Sequence, residues 1–439
     1  MNDLRPYQRD GVAWMLERPA CLLADQPGLG KTRQILETHR AYVERKGGAG
    51  LAIVCPKSAK AVWRAEIQKW NIPGTVHVLE GRDAWRPPEP GEIVIINYAI
   101  LPWRPVEIRT AKQAGKKHGA PLGSFDWPIH LVFDEAHALR KPKSLQSARA
   151  KAMTRAVDKV TGATGTPVGG QPFDLYGMLG ALRCCPWTWF EFLRKFNAFE
   201  LPHGGYDFRR DASGAIVVDP SVAADLSRVM LRRLRVDVAT ELPPKLYRRI
   251  NVDHKRATAT ELDRLGLALA PYFDADDLPP FTEFASVNRM IAEERIPLLA
   301  DYQREREDAG QIGLIMSAHR APVVAAGSRP GWGAIHGGVP EGERERLITD
   351  FEAGRLKGLA LVLKTAATAI SLPSADYVLF VDRSWDPDEN EQAEDRANRM
   401  NRTKGPIEVE IWTSAHPVAR HLDRILKRKS QLARDALNE

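Results

Sequence analysis

Ala24-Asp25-Gln26-Pro27-Gly28-Leu29-Gly30-Lys31-Thr32 follows the short apolar run Cys21 to Leu23 and precedes Arg33 to Val43, a stretch able to form a helix. A buried strand, a glycine turn and a helix N-terminus in that order point backbone N–H groups and the positive end of a helix dipole at a polyphosphate. In such a loop Gly28 and Gly30 make the turn, Lys31 reaches the β/γ-phosphates and Thr32 holds Mg²⁺. Asp25 stands where the general G-x-x-x-x-G-K-[ST] pattern has its first glycine, so the match is incomplete at that position. Downstream, the apolar run Ile129 to Phe133 leads into Asp134-Glu135-Ala136-His137. A strand ending at Phe133 places Asp134 at the carboxyl edge of a sheet, where ligands bind in open α/β folds, so its carboxylate can meet the metal ion. Glu135 would then polarise the attacking water. Alone, an acidic pair after a strand is often a solvated helix start; behind a phosphate loop it predicts ATP hydrolysis.

The 439 residues are enough for two or three domains, and 44% hydrophobic content is ample for buried cores. No run approaches the roughly eighteen apolar residues of a membrane span, and Met1-Asn2-Asp3-Leu4-Arg5-Pro6 lacks a signal-peptide core. The expectation is a soluble, cytoplasmic protein without a membrane partner. Four cysteines, Cys21, Cys55, Cys184 and Cys185, form no C-x-x-C pair, so neither zinc nor a disulfide framework is indicated. Cys21 and Cys55 lie in strand-like runs and read as small core residues. A formal charge of +7 suits a polyanionic partner without requiring one.

Apolar runs that read as buried parallel strands alternate with amphipathic helices: Leu51 to Cys55, Ile93 to Ile96, Ile129 to Phe133 and Lys159 to Thr161, with a helix such as Ala59 to Trp70 between them. The middle is helical, over Trp187 to Phe196, Val222 to Arg235 and Thr258 to Leu269, with a Gly- and Asp-rich stretch from His203 to Gly214. A further helical run, Phe284 to Asp308, leads to Ile312 to Met316. The βαβ rhythm then returns near Leu359 to Leu363, Tyr377 to Val381 and Ile407 to Trp412. No repeat of 20 to 50 residues is visible, which excludes a solenoid.

The motifs are ordered. Leu4-Arg5-Pro6-Tyr7-Gln8, the phosphate loop, Val54-Cys55-Pro56-Lys57-Ser58 with Trp63 and Glu66, Ile96-Asn97-Tyr98, the Asp134 box and Thr164-Gly165-Thr166-Pro167 come first. Leu231-Arg232-Arg233, Glu241-Leu242-Pro243-Pro244-Lys245, Ile335-His336-Gly337-Gly338, Ser384-Trp385-Asp386-Pro387 and Gln392 to Arg399 follow. This set resembles the Swi/Snf-type branch of superfamily-two helicases over nearly the whole chain. Within that branch it is most similar to the annealing-helicase and fork-remodelling group, through Phe284 to Asp308 followed by Ser317-Ala318-His319-Arg320 and through the compact link from Trp385 to Gln392.

The resemblance implies an α/β fold of two RecA-like lobes with helical insertions: lobe 1 over 1–185, insertions and linker over 186–310, lobe 2 over 311–439. It implies ATP and Mg²⁺ as cofactors. Arg5 and Gln8 would bind the nucleotide, Gln8 reading the adenine edge with an amide that donates and accepts at once. Arg396 and Arg399 would clamp the γ-phosphate, an arginine role worth about 10³–10⁵ in rate among related NTPases. His137 and Gln392 would couple the motifs. Lys57, Ser58, Asn97, Tyr98, Thr166, Arg320 and Thr365 would touch DNA, mainly phosphate, giving affinity with little sequence preference.

After Arg399, Met400 fits the apolar residue usual in the family, but Asn401-Arg402 stands where Gly-Gln usually follows. Asn398 replaces a common His, and Ala366-Ala367 and Thr368-Ala369 stand where glycines are common. Arg109, Lys112, Lys116 and Lys117 mark an exposed basic loop, either solvated or gripping DNA. Arg232, Arg233 and Arg235 read equally as helix surface or phosphate contacts, and Phe190 to Phe199 and Leu231 to Arg235 as core or as contacts to a second DNA arm. The implied activity is a DNA-dependent ATPase acting as a translocase on double-stranded, branched DNA, as a monomer, by fork reversal, branch migration or strand annealing. A strand-separating DNA or RNA helicase is the alternative, and a non-catalytic clamp the other-class rival. Missing chromatin-reading modules point to a prokaryotic or viral source.

Overall fold

In the computed structural model the described residues are 4–81, 85–102, 125–168, 171–202, 204–211, 216–238, 243–255, 258–264, 266–267, 281–366, 371–384, 387–398, 402, 404–417, 420 and 423–424. Arg399, Met400, Asn401, Trp385, Asp386 and the basic loop with Arg109, Lys112, Lys116 and Lys117 lie outside them. The chain divides into two compact units, Met1–Ala239 with Gln431–Glu439, and Thr240–Ser430.

In the first unit the strands are β1 (Ala20–Leu23), β2 (Gly50–Cys55), β3 (Thr75–Val78), β4 (Glu92–Asn97), β5 (Ile129–Asp134), β6 (Lys159–Ala163), the pair β7 (Ala198–Glu200) and β8 (Tyr206–Phe208), and β9 (Met230–Leu231). Among the described residues one sheet runs β3-β4-β2-β5-β6-β1-β9, with every neighbouring pair parallel. Parallel strands have both faces covered by crossover helices, which explains why β2 and β6 are buried along their whole length and read as continuous apolar runs. Cys21 and Cys55 are fully buried in β1 and β2. Because all these strands point one way, the residues following β1, β2, β4, β5 and β6 collect along one edge.

The helical middle departs from its expected form in one place. Val222 to Arg235 is not one helix: the helix Ser221–Val229 ends, Met230 and Leu231 become β9 beside β1, and a short helix Arg235–Val238 follows. Val229, Met230 and Leu231 are β-compatible, and a strand edge was open beside β1. The stretch around His203 to Gly214 contributes β8 to an antiparallel hairpin with β7. Beside it Phe192 and Phe196 are fully buried with ring centroids 4.6 Å apart, while Phe190 is 80% exposed.

The second unit holds β10 (Lys245–Asn251), β11 (Gly313–Ser317), β12 (Trp332–Ile335), β13 (Gly358–Val362), β14 (Tyr377–Phe380) and β15 (Ile407–Thr413). They form a second sheet in the order β10-β15-β14-β11-β13-β12 among the described residues, again with every neighbouring pair parallel. The run Phe284 to Asp308 is two helices, Phe281–Glu294 and Ile296–Asp308, with Pro297 in the first turn of the second. Proline is tolerated there because that N–H has no intrahelical partner. Arg402, at the departure from the family pattern, donates from Nη1 to Pro373 O (2.8 Å) and from Nε to Gly405 O (2.8 Å), tying two loops together. Two parallel-sheet α/β units with flanking helices agree with the fold expected from the sequence. Among the described residues no helix is long and apolar enough to cross a membrane.

Under the first sheet lies a group of buried ionisable side chains. His39, on the helix Lys31–Lys46, stacks on His130 of β5 with centroids 5.7 Å apart, and Tyr42 meets the same ring edge-on. His130 Nε2 and Thr161 Oγ1 of β6 are 2.9 Å apart. Lys159 Nζ donates to Met15 O (2.7 Å) and Arg18 O (2.9 Å), and its ammonium lies 5.7 Å from the Tyr42 ring. Burial lowers His39 to about 4, and burial followed by Lys159 and His39 lowers His130 well below its usual value. Both rings are therefore neutral in the fold at pH 6.5, where the unfolded chain begins to protonate them. Stability is full above that pH and falls as pH drops toward 4, by about 1.4 kcal/mol per histidine for each unit. Urea unfolding at pH 7.5 and 5.5 should show this loss, and His39→Phe should remove about half of it. Equal loss in the variant and the parent would assign the acid sensitivity to other groups.

Candidate functional site

The loop Ala24–Thr32 leaves the carboxyl end of β1. Gly28 (φ 91°) and Gly30 (φ 74°) occupy the left-handed region, which glycine adopts without Cβ strain. Gly30 is also the cap residue of the helix Lys31–Lys46, whose N-terminus has no side-chain cap and no acidic residue in its first turn. The backbone amides of that first turn and the dipole end suit an anion. Lys31 Nζ donates to Asp25 O (2.7 Å), so the ammonium lies against the loop itself.

Gln8, on the helix Pro6–Leu16, rests on the same loop. Its Nε2 donates to Leu29 O (3.2 Å), its Oε1 accepts from Arg5 N (3.1 Å), and Tyr7 OH donates to Leu29 O (3.3 Å). A Cβ at Gly30 would fall 2.5 Å from Gln8 Nε2, a second reason for glycine there. The structure thus brings Arg5, Gln8, Gly28, Gly30, Lys31 and Thr32 together.

Asp134 ends β5, one strand removed from β1. Its Oδ2 accepts from Trp63 Nε1 (2.7 Å), and its Oδ1 accepts from Glu135 N (3.0 Å). Burial, and then the Glu135 carboxylate, pushes Asp134 up to about 6. Glu135 itself sits at φ 50°, ψ 52°, a conformation uncommon for a non-glycine residue and found where a side chain must be aimed. A cation would relieve the crowding of two adjacent carboxylates. Among the described residues no group of three or more His, Cys, Asp or Glu could hold a metal. That fits Mg²⁺ all the same, because this ion takes one or two protein oxygens and completes its shell with water and substrate phosphates. Thr32 and Asp134 are hard oxygen donors of that kind.

His137 links this box to the next strand. Its Nδ1 lies 3.2 Å from both Thr164 Oγ1 and Glu135 Oε2, and Thr164 Oγ1 accepts from Thr166 N (3.1 Å). A chain of polar contacts therefore runs from the acidic pair to Thr166. Lys57 and Ser58 follow β2, and Asn97 and Tyr98 close β4, so both pairs lie along the same edge. Tyr98 is buried and its hydroxyl donates to Asp134 O (2.7 Å), and Thr166 is also buried. Of these two pairs Lys57 is exposed, Ser58 and Asn97 are half-buried and Tyr98 is the most enclosed.

Of the two readings of Arg232 and Arg233, helix surface or phosphate contact, the helix surface does not hold, since the helix begins only at Arg235. Arg232 Nη1 donates to Ala24 O (2.9 Å) and Gly165 O (3.1 Å). Arg233 Nε donates to Asp25 Oδ1 (2.9 Å), and its Nη2 donates to Asp25 Oδ2 and to Gln34 Oε1 (2.7 Å). Both guanidinium groups hold the phosphate loop. Trp63 was visible in its motif, but nothing local showed that its indole would meet Asp134.

In the second unit the edge residues are Ser317, which ends β11, and Ala318 to Arg320 after it, His336 to Gly338 after β12, Lys364 and Thr365 after β13, and Asp382 to Ser384 after β14. Arg320 opens the helix Arg320–Gly327, and burial, then Arg320 and Arg344, lowers His336. Gln392 and Arg396 are buried on the helix Pro387–Ala397. Lys245 Nζ meets Glu394 Oε2 (2.8 Å) and Asp395 Oδ1 (2.7 Å) of that helix, and Tyr247 OH donates to Glu394 Oε2 (2.7 Å).

Comparison with known proteins places this geometry. Residues 7–259 match the model of the SNF2-related domain and residues 330–401 that of the helicase conserved C-terminal domain. The chain is 27% identical over 458 residues to the DNA annealing helicase and endonuclease ZRANB3 of Bos taurus, covering 99% of this chain and 40% of that protein. It is 27% identical over 419 residues to the SWI/SNF-related matrix-associated actin-dependent regulator of chromatin subfamily A-like protein 1 of Xenopus tropicalis, covering 92% and 42%. This chain therefore spans about two fifths of the length of these relatives. Among solved structures it is similar to the Sulfolobus solfataricus SWI2/SNF2 ATPase core in complex with dsDNA, at 21% identity and a TM-score of 0.46, over 99% of this chain and 92% of that one.

Proposed function

The chain belongs to the SNF2-related family, and from that premise we propose that it is an ATP-driven translocase on double-stranded DNA that remodels branched DNA by fork reversal, branch migration or strand annealing. The observation that carries this reading is the edge of the first sheet. There the phosphate loop and an acidic pair share one edge, and the pair is joined to Thr166 through His137 and Thr164. Such a chain gives the state of the nucleotide a physical route to the residues proposed to touch DNA.

In this reading Lys31 and the loop amides bind the phosphates, Thr32 and Asp134 hold Mg²⁺, and Glu135 orients the attacking water. The ion would supply charge neutralisation on the phosphates. Arg396 and Arg399 act on the γ-phosphate, and Gln392 and His137 transmit the change. Lys57, Ser58, Asn97, Tyr98, Thr166, Arg320 and Thr365 line the DNA track, working as a monomer. Contacts to phosphate alone allow movement along any sequence. The similarity to an annealing helicase favours branched DNA as the substrate.

A substrate panel tests this. ATP hydrolysis should rise with duplex and forked DNA and not with RNA, and ATP-dependent movement of a four-way junction should exceed unwinding of a tailed duplex. Fast unwinding of tailed duplexes without junction movement would replace the translocase with a strand-separating helicase. DNA binding without any stimulated hydrolysis would favour a clamp.

A further inference from the structure

Asp25 is fully buried, and a buried carboxylate needs partners for its charge and its lone pairs. Arg233 supplies them in a fork: Nε on Oδ1 at 2.9 Å and Nη2 on Oδ2, with Gln34 Nε2 adding a third donor to Oδ2 at 3.1 Å. The same guanidinium reaches beyond Asp25. Nη1 donates to Tyr7 O, Nη2 donates to Gln34 Oε1 at 2.7 Å, and the cation lies 5.2 Å from the Tyr7 ring. One side chain therefore ties three pieces of the nucleotide site: the loop through Asp25, the helix after it through Gln34, and the helix carrying Gln8 through Tyr7.

The surroundings are built around this junction. A Cβ at Gly11 would fall 2.1 Å from Gln34 Oε1 and 2.8 Å from Arg233 Nη2, so a side chain there would displace the ends of both from their present contacts. The backbone carries the same register, with Ala24 N donating to Leu231 O (2.7 Å) and Gln26 N to Arg233 O (3.1 Å). Gln26 Oε1 accepts from Arg235 N (2.7 Å). The first three residues of the loop, Ala24, Asp25 and Gln26, are laced to residues 231–235, a few residues before the first unit ends at Ala239.

We propose that Arg233 is a positioning residue for the nucleotide: through Asp25, Gln34 and Tyr7 it sets the phosphate loop and the Gln8 helix in mutual register, and it carries any shift of the loop into the segment where the chain leaves the first unit. This rests on the reading of Ala24–Thr32 as the ATP loop. It also accounts for the aspartate at the first position of the pattern. A glycine there would remove the carboxylate that Arg233 grips in a fork.

The test separates positioning from folding. Arg233→Lys keeps the charge, but a compact ammonium cannot span Asp25, Gln34 and Tyr7 O together. Its Tm should stay near that of the parent while the KM for ATP rises about tenfold. Arg233→Met strands a buried charge and should lower Tm as well. Adding Asp25→Asn to Arg233→Met removes that charge, so Tm should recover while the KM for ATP stays raised. Recovery of both Tm and KM in the double variant would make the pair structural only and overturn the proposal, as would a parental KM in Arg233→Lys. Parental turnover in Lys31→Ala would instead remove the ATP-loop reading on which the proposal stands, whatever the Arg233 variants show.

Discussion

Glu135→Gln should bind ATP with an affinity within about threefold of the parent and hydrolyse it about 10²–10⁴-fold more slowly, the range for removing a positioned general base. The substitution is isosteric and sits in a left-handed backbone conformation that glutamine tolerates as well as glutamate. It also removes the neighbouring carboxylate charge that, after burial, holds Asp134 up at about 6. Metal binding therefore has no reason to weaken, and the loss should fall on kcat rather than on KM. Single-turnover hydrolysis beside equilibrium nucleotide binding makes the distinction. Hydrolysis at the parent rate would show that the water is activated elsewhere, and would leave Glu135 as a partner of His137 only.

Lys31→Ala should cost about 10²–10³-fold in kcat, the scale of removing one preorganised group from a developing charge, and should weaken ATP binding besides. The helix Lys31–Lys46 should survive, since alanine is the best helix former and Gly30 caps the turn without any side chain. Lys31→Arg should fail nearly as badly, because a planar fork cannot occupy the place of a compact ammonium seated 2.7 Å from Asp25 O. Circular dichroism on each variant, alongside steady-state ATPase assays, separates loss of fold from loss of chemistry. Parental activity in Lys31→Ala would displace the loop from the nucleotide site altogether.

The sequence by itself determined the parts whose signal is local. β1, β2, β4, β5 and β6 are short apolar runs because both faces of a parallel sheet are covered, and that pattern is readable without the fold. The glycines of the phosphate loop and the acidic pair after β5 are equally local, since strand, turn and helix are adjacent in the chain. Strands with weaker patterns were not legible: β9 has two residues, β12 has four, and β10 is an edge strand reading Lys-Leu-Tyr-Arg-Arg-Ile-Asn, exposed along most of its length. Their pairing depends on which neighbour is available, as β9 depends on β1. Only the tertiary structure decided the partners of the polar groups. Trp63 meets Asp134 across 71 residues, and Arg233 meets Asp25 across 208. An arginine beside a leucine in sequence looks the same whether it faces water, DNA or a buried carboxylate. What distinguishes these fates is the parallel sheet, which gathers the ends of distant strands along one edge, together with the cost of leaving a buried charge unpaired there.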